Sequence, residues 1–276
     1  MGFGQPAPGT VSSVVGIDLG TCFARVGVWI RGAVHLIPNQ RGHTKTPCCV
    51  AFTDAGVLAG EAAADQAEEN MANTHFGPQR LVGDKWTSPW MQWYMNQWPE
   101  NVVAGHDDRV LIRVFHRGEE RLVRPVEILA ILLAYLRSCA ETYVEAKVSE
   151  AVVTVPARCG QSQLDAIGEA CRGAGIQVRE FLRSPTASAL SLRLRNPTPL
   201  TGFVLVCNMG GSYLDISLIA VQGDHVSEIA LATDFVDLDQ CLVDFSMREF
   251  SRNDPDMNLS HDDKMAVQRL KNTAKL

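Results

Sequence analysis

Apolar and polar residues alternate in short runs at the start of the chain, so Ser13–Leu19, Ala24–Ile30 and Ala33–Ile37 are predicted as three strands. The turn signals Gly20-Thr21 and Arg31-Gly32 separate them, which makes an antiparallel meander. Further strands are predicted at Cys48–Thr53 and Arg109–Phe115, with an Ala-rich helix over Glu61–Met71 between them. Within Pro125–Ala146, Val126, Leu129, Leu132, Leu133 and Leu136 recur at the spacing of one helix face, and Pro125 suits a first turn. Glu150–Val155, Ser162–Gly173, Ile176–Leu182 and Ser184–Arg195 read strand, helix, strand, helix, and the βαβ crossover makes the two strands parallel. Asn196-Pro197-Thr198-Pro199 reads as a linker. Beyond it come three more short strands, Phe203–Cys207, Leu214–Val221 and His225–Ala232. Two helices, Asp237–Arg252 and Ser260–Ala274, close the pattern, with the acidic stretch Asp254–Asp263 as a solvated loop before the last.

The opening meander thus returns after the linker, and the match extends to the turns. Val15-Gly16-Ile17-Asp18-Leu19-Gly20-Thr21 lies against Leu205-Val206-Cys207-Asn208-Met209-Gly210-Gly211. Each copy is an apolar strand ending in Asp or Asn, then a glycine turn, then a returning strand. Two such turns facing one another present backbone N–H groups to a common cleft, and concavities of that kind bind phosphates. A carboxylate at the strand end suits a phosphate-bound Mg²⁺. Either copy alone reads better as an ordinary Asp-x-Gly turn; the pair points to a phosphate cleft.

Composition narrows the class. A chain of 276 residues, at about 150 per domain, makes one to two domains. Hydrophobic residues at 46% and charged residues at 20% exclude wholesale disorder, collagen and coiled coil. The longest apolar run, Val126–Leu136, falls short of the roughly 20 residues that cross a bilayer, so no membrane is expected. A net charge of -6 gives no basic face for nucleic acid. The eight cysteines include no C-x-x-C pair and several sit in apolar runs, as Cys207 does, so they read as small buried hydrophobes in a reducing compartment. The first residues carry no secretory signal, residues 1–12 read as a disordered tail, and the expected location is cytoplasmic. Trp86, Trp90, Trp93 and Trp98 with Tyr94 form an aromatic-rich stretch, a local core cluster or a partner-binding patch.

At these residues the chain resembles the ATPase domain of the seventy-kilodalton heat-shock chaperones, within the actin and sugar-kinase superfamily. Ile17-Asp18-Leu19-Gly20-Thr21 is similar to the family's I-D-L-G-T hairpin. Ala151-Val152-Val153-Thr154-Val155-Pro156-Ala157 resembles its A-V-I-T-V-P-A strand, and Pro185-Thr186-Ala187 its E-P-T-A run. Gly210-Gly211 with Asp215-Ile216-Ser217 is similar to its second hairpin, while Arg80-Leu81-Val82-Gly83 and Gln268-Arg269-Leu270-Lys271 match two further runs. The six lie in the family's order from about Val14 to Leu276.

The resemblance implies an α/β, actin-like ATPase fold with an RNase-H-like core. The βββαβα unit would be duplicated, lobe I over 13–195 and a partial lobe II over 196–276. Since the chain stops at Leu276, the second lobe is expected to be incomplete and the peptide-clamping domains of the family missing. ATP or ADP with Mg²⁺ would lie between the lobes. The implied nucleotide contacts are Asp18, Gly20, Thr21, Cys22, Gly210, Gly211, Ser212 and Tyr213, with Asp18 and Asp215 toward the metal.

The departures fall on chemistry. The family's active-site lysine is Gln79 here, the glutamate before P-T-A is Ser184, and the aspartate opening the second hairpin is Asn208. Cys22 and Tyr213 stand where phosphate-contacting threonines would be, and Ser212 replaces a turn glycine. The expected function is a degenerate nucleotide-binding module working through protein contacts, with co-chaperones or client complexes as partners. The competing reading is a working chaperone ATPase whose C-terminal part is missing; a sugar kinase stands third, since no sugar-site motif is present.

Overall fold

The computed structural model describes residues 14–97, 101–195, 201–211, 213–223, 225–235 and 238–253. The expected tail, the 196–199 linker, Ser212, Trp98, the 254–263 loop, the 260–274 helix and the Gln268–Lys271 run lie outside them.

The elements run β1 (Val14–Leu19), β2 (Phe23–Ile30), β3 (Ala33–Leu36), β4 (Thr46–Pro47), β5 (Cys49–Phe52), β6 (Val57–Ala59), α1 (Glu61–Asp65), β7 (Thr74–Phe76), α2 (Pro89–Gln97) and β8 (Val102–Ala104). There follow β9 (Val110–His116), β10 (Glu119–Val123), α3 (Pro125–Val144), β11 (Glu150–Val155), α4 (Gln161–Gly173), β12 (Gln177–Arg183) and α5 (Ser184–Arg195). The last are β13 (Thr201–Met209), β14 (Tyr213–Gln222), β15 (His225–Phe235) and α6 (Leu238–Asn253).

The main sheet has the order β12-β11-β1-β2-β3, with β4 pairing β2. The meander β1-β2-β3 is antiparallel and β11 joins β1 and β12 in parallel, as the βαβ pattern requires. Alternation fixes which face is inward: Val15, Ile17 and Leu19 of β1 and Ala24, Val26 and Val28 of β2 are buried. α3 and α4 pack on one another, and Ile128, Leu129, Leu132 and Leu133 of α3 are fully buried in the core that joins them to the sheet. β13-β14-β15 form a separate antiparallel sheet. Its inner face, Val206, Ile219 and Val221, packs on Ala189 of α5, while Phe203, Leu205 and Met209 face outward and exposed.

Some expectations need correction. The helix over Glu61–Met71 ends at Asp65, because side chains just beyond it bond elsewhere: Gln66 Nε2 donates to Thr74 Oγ1 at 2.9 Å and Asn70 Nδ2 to the Phe52 carbonyl at 2.9 Å. Cys207 and Cys241 are exposed and Cys22 is half-buried; at Cys207 the reason is that Val206 takes the inward position on β13 and its neighbour must point out. Cys48, Cys49, Cys139, Cys159 and Cys171 are buried as read. Trp86, Trp90 and Tyr94 pack with the main core. Among the described residues no helix is long and apolar enough to cross a membrane.

Candidate functional site

Two hairpin turns meet where the sheets approach. In the first, Gly20 links β1 to β2, and a Cβ there would lie 2.6 Å from the Phe23 carbonyl oxygen, so only glycine fits. In the second, the Gly210 N–H donates to the Tyr213 carbonyl at 2.9 Å and closes the turn between β13 and β14. A Cβ on Gly211 would lie 2.1 Å from Cys22 Sγ and 3.3 Å from Thr21 Oγ1, so the two turns are in contact. The pairing register is duplicated as well: Asp18 opposes Arg25 in one hairpin, and Asn208 opposes Asp215 in the other.

Between the turns lies a cleft of about 100 Å³. Gly20, Thr21, Asn208, Gly210 and Tyr213 line it from the hairpins, and Gln79, Arg80, Thr154, Gln163, Ser184 and Asp215 complete its polar lining. The structure thus brings Gly20, Thr21, Gln79, Ser184, Asn208, Gly210, Tyr213 and Asp215 to one place. Cys22 and Gly211 close it at the contact between turns instead of lining it, and Asp18 is outside the lining.

Most polar groups here already have partners. Gln79 Nε2 donates to the Gly20 carbonyl, and Cys48 Sγ donates to the same oxygen at 3.1 Å; burial pushes the Cys48 thiol up to about 12. Ser184 Oγ donates to the Val155 carbonyl at 3.1 Å. Asp18 accepts from Thr154 Oγ1 at 2.9 Å and pairs with Arg25 at 3.3 Å. Asp215 is buried and accepts from Thr233 Oγ1 at 2.5 Å. Trp90 Nε1 donates to the Arg80 carbonyl at 3.2 Å, and its ring lies 6.3 Å from the Tyr213 ring. Burial raises the Tyr213 phenol, with the Arg80 charge opposing.

Sequence reasoning gave no role in this site to Arg80, Thr154, Thr233 or Trp90. Thr154 was accessible in principle, because alternation puts it on the face of β11 opposite Val153 and Val155. The Trp90–Tyr213 contact joins residues far apart in sequence and leaves no local pattern.

A duplicated hairpin pair around a phosphate-sized cleft is the arrangement of the actin-like ATPase class. Residues 14–276 match the family described as Hsp70 protein, and the chain belongs to that family. It is 40% identical over 215 residues to "Heat shock cognate HSP70 protein" of Trypanosoma brucei brucei, covering 78% of this chain and 32% of that protein. It is 35% identical over 245 residues to "Heat shock cognate 70 kDa protein 3" of Dictyostelium discoideum, covering 86% and 39%. It is 36% identical over 242 residues to "Putative heat shock 70 kDa protein 7" of Homo sapiens, covering 86% and 66%. The chain therefore spans from 32% to 66% of the length of these relatives.

Family membership implies a nucleotide with Mg²⁺. The glycine turns and Thr21 fit phosphate groups. The carboxylates fit the metal poorly: of Asp18 and Asp215, only Asp215 reaches the cleft, one of its oxygens is held by Thr233, and the Arg80 cation shares the lining. Among the described residues no three acidic, His or Cys side chains converge.

Proposed function

We propose that this chain is the nucleotide-binding part of an Hsp70-type protein in which phosphoryl transfer has been lost, leaving a module that binds ATP or ADP and works through protein contacts. Residues 13–195 and 196–276 are its two lobes. Co-chaperones or client complexes are the partners this reading assigns, in the cytoplasm, with no role for nucleic acid or membrane.

The observation that carries the proposal is that Gln79, Ser184 and Asn208 all line the same cleft. Transfer of a phosphoryl group depends on charges positioned around it, and these three are neutral. The Gln79 amide and the Ser184 hydroxyl are moreover directed at backbone carbonyls. Losing one preorganised group costs about 10²–10³ in rate, enough to silence a slow ATPase even without multiplying the losses.

Phosphate release by the purified protein with ATP and Mg²⁺ is expected to stay at the level of a protein-free control. Slow turnover that disappears in Asp18→Asn would overturn the proposal in favour of a working chaperone ATPase.

A further inference from the structure

We propose that the cleft holds nucleotide phosphates directly on protein donors, with the Arg80 guanidinium in the place of a bridging metal, so that binding does not require a divalent cation. The proposal rests on the nucleotide-cleft reading above and specifies how that cleft recognises its ligand.

Arg80 lines the cleft and is half-buried. Among the described residues it has no carboxylate partner: its Nε is buried without a hydrogen-bond acceptor, and Nη2 reaches only Cys22 Sγ at 4.0 Å. The side chain is held in place, since its Nε lies 3.2 Å from where a Cβ on Gly77 would sit, and Gly77 has a left-handed φ of 59°. A partly desolvated guanidinium without an anion is unfavourable, and its planar fork of donors matches phosphate oxygens. Gly20 and Thr21 lie in the same lining and bring backbone and hydroxyl close to any anion seated there.

The acidic groups point the same way. Asp18 is paired with Arg25 and bonded by Thr154, on the exposed side of β1. Asp215 is the one carboxylate in the lining, and Thr233 holds one of its oxygens. Ser184 and Asn208 bring no negative charge into the cleft. With so little acid present, phosphate oxygens approach without needing a metal ion to screen repulsion. A Mg²⁺ ion would instead share the space with the Arg80 cation.

Calorimetric titration of the purified chain with ATP and with inorganic triphosphate, in EDTA and in Mg²⁺, tests this. The expected result is a dissociation constant in EDTA within about threefold of that in Mg²⁺, with triphosphate competing. Arg80→Gln should weaken binding by roughly tenfold or more in both buffers, the scale of a charge-assisted contact, and Arg80→Lys should recover part of the loss. Arg80→Lys also separates charge from folding, since it keeps the cation and most of the stem. Binding that weakens tenfold in EDTA, or that survives unchanged in a folded Arg80→Gln, would overturn the metal-free proposal and leave the nucleotide cleft standing. Absence of binding by either ligand in either buffer would remove the nucleotide-cleft reading, and the proposal with it.

Discussion

The His75 imidazole lies edge-on to the Phe52 ring, with 6.0 Å between centroids and its Nε2 buried without a partner. Burial lowers its pKa from 6.5 to about 4. Once the chain unfolds, His75 takes up a proton near its ordinary pKa of about 6.5, whereas the folded protein resists until pH 4. Proton uptake by the unfolded chain therefore erodes stability as pH falls through the window from 6.5 to 4, by about 3 kcal/mol once it is complete. Urea midpoints measured across that window should fall more steeply for the wild type than for His75→Phe, which keeps the contact with Phe52 and cannot titrate. Parallel profiles for the two proteins would show that His75 does not cause the loss.

Among elements, the link between the Arg80–Gly83 run and helix α4 depends on one glycine. Gly83 has φ +72°, and a Cβ there would lie 2.5 Å from the Ser162 carbonyl oxygen and 2.6 Å from Gln163 Cα. Both are backbone atoms at the start of α4, so no side chain can move aside. Gly83→Ala should therefore destabilise by about 2–3 kcal/mol, strain and clash together. Gly118→Ala, at φ +75° with nothing within 4 Å, should cost only about 1 kcal/mol. Equal small shifts of the two urea midpoints would contradict this. The same scale shows what could be read in the sequence. The β1-β2-β3 meander, α3 and the β11-α4-β12 crossover declare themselves because one face of each is buried, which imposes a period. β10 was missed because Glu119–Leu122 are exposed and carry no alternation; its only signal is the tight turn of Arg117 and Gly118, both with positive φ. β6, β7 and β8 have three residues each, too few to show a period. For the site, the glycine turns were legible as a repeated motif, whereas Arg80, Thr233 and Trp90 acquire their roles only through contacts between distant segments.

Across the whole molecule, the main sheet and the β13-β14-β15 sheet, the second sheet of the cleft, differ in how much apolar surface secures them. The core around β1, β2, β11, α3 and α4 is one continuous cluster that includes the fully buried Ile17, Ile112, Leu132 and Ile176. Under β13-β14-β15, the described core is Ala189, Val206, Ile219 and Val221, with Val204 and Val226 packed beside it. The opposite face shows Phe203 at 72% and Leu205 at 65% exposure, so those side chains contribute little burial to the fold. The second sheet is tied to the first through α5, through the contact of Gly211 with Cys22, and through the Trp90–Tyr213 ring pair. A sheet with one thin apolar layer opens at lower free energy than the element it adjoins. Native-state hydrogen exchange should therefore protect the amides of β1 and β11 to the level of global unfolding. Those of β14, the central strand of the second sheet, should exchange at least about a hundredfold faster, a gap of about 3 kcal/mol. Because β14 supplies both Tyr213 and Asp215 to the cleft and β11 only Thr154, ATP should slow exchange in β14 more than in β11. Uniform protection of both sheets without nucleotide would mean that the Trp90–Tyr213 and Cys22–Gly211 contacts already join them into one cooperative unit.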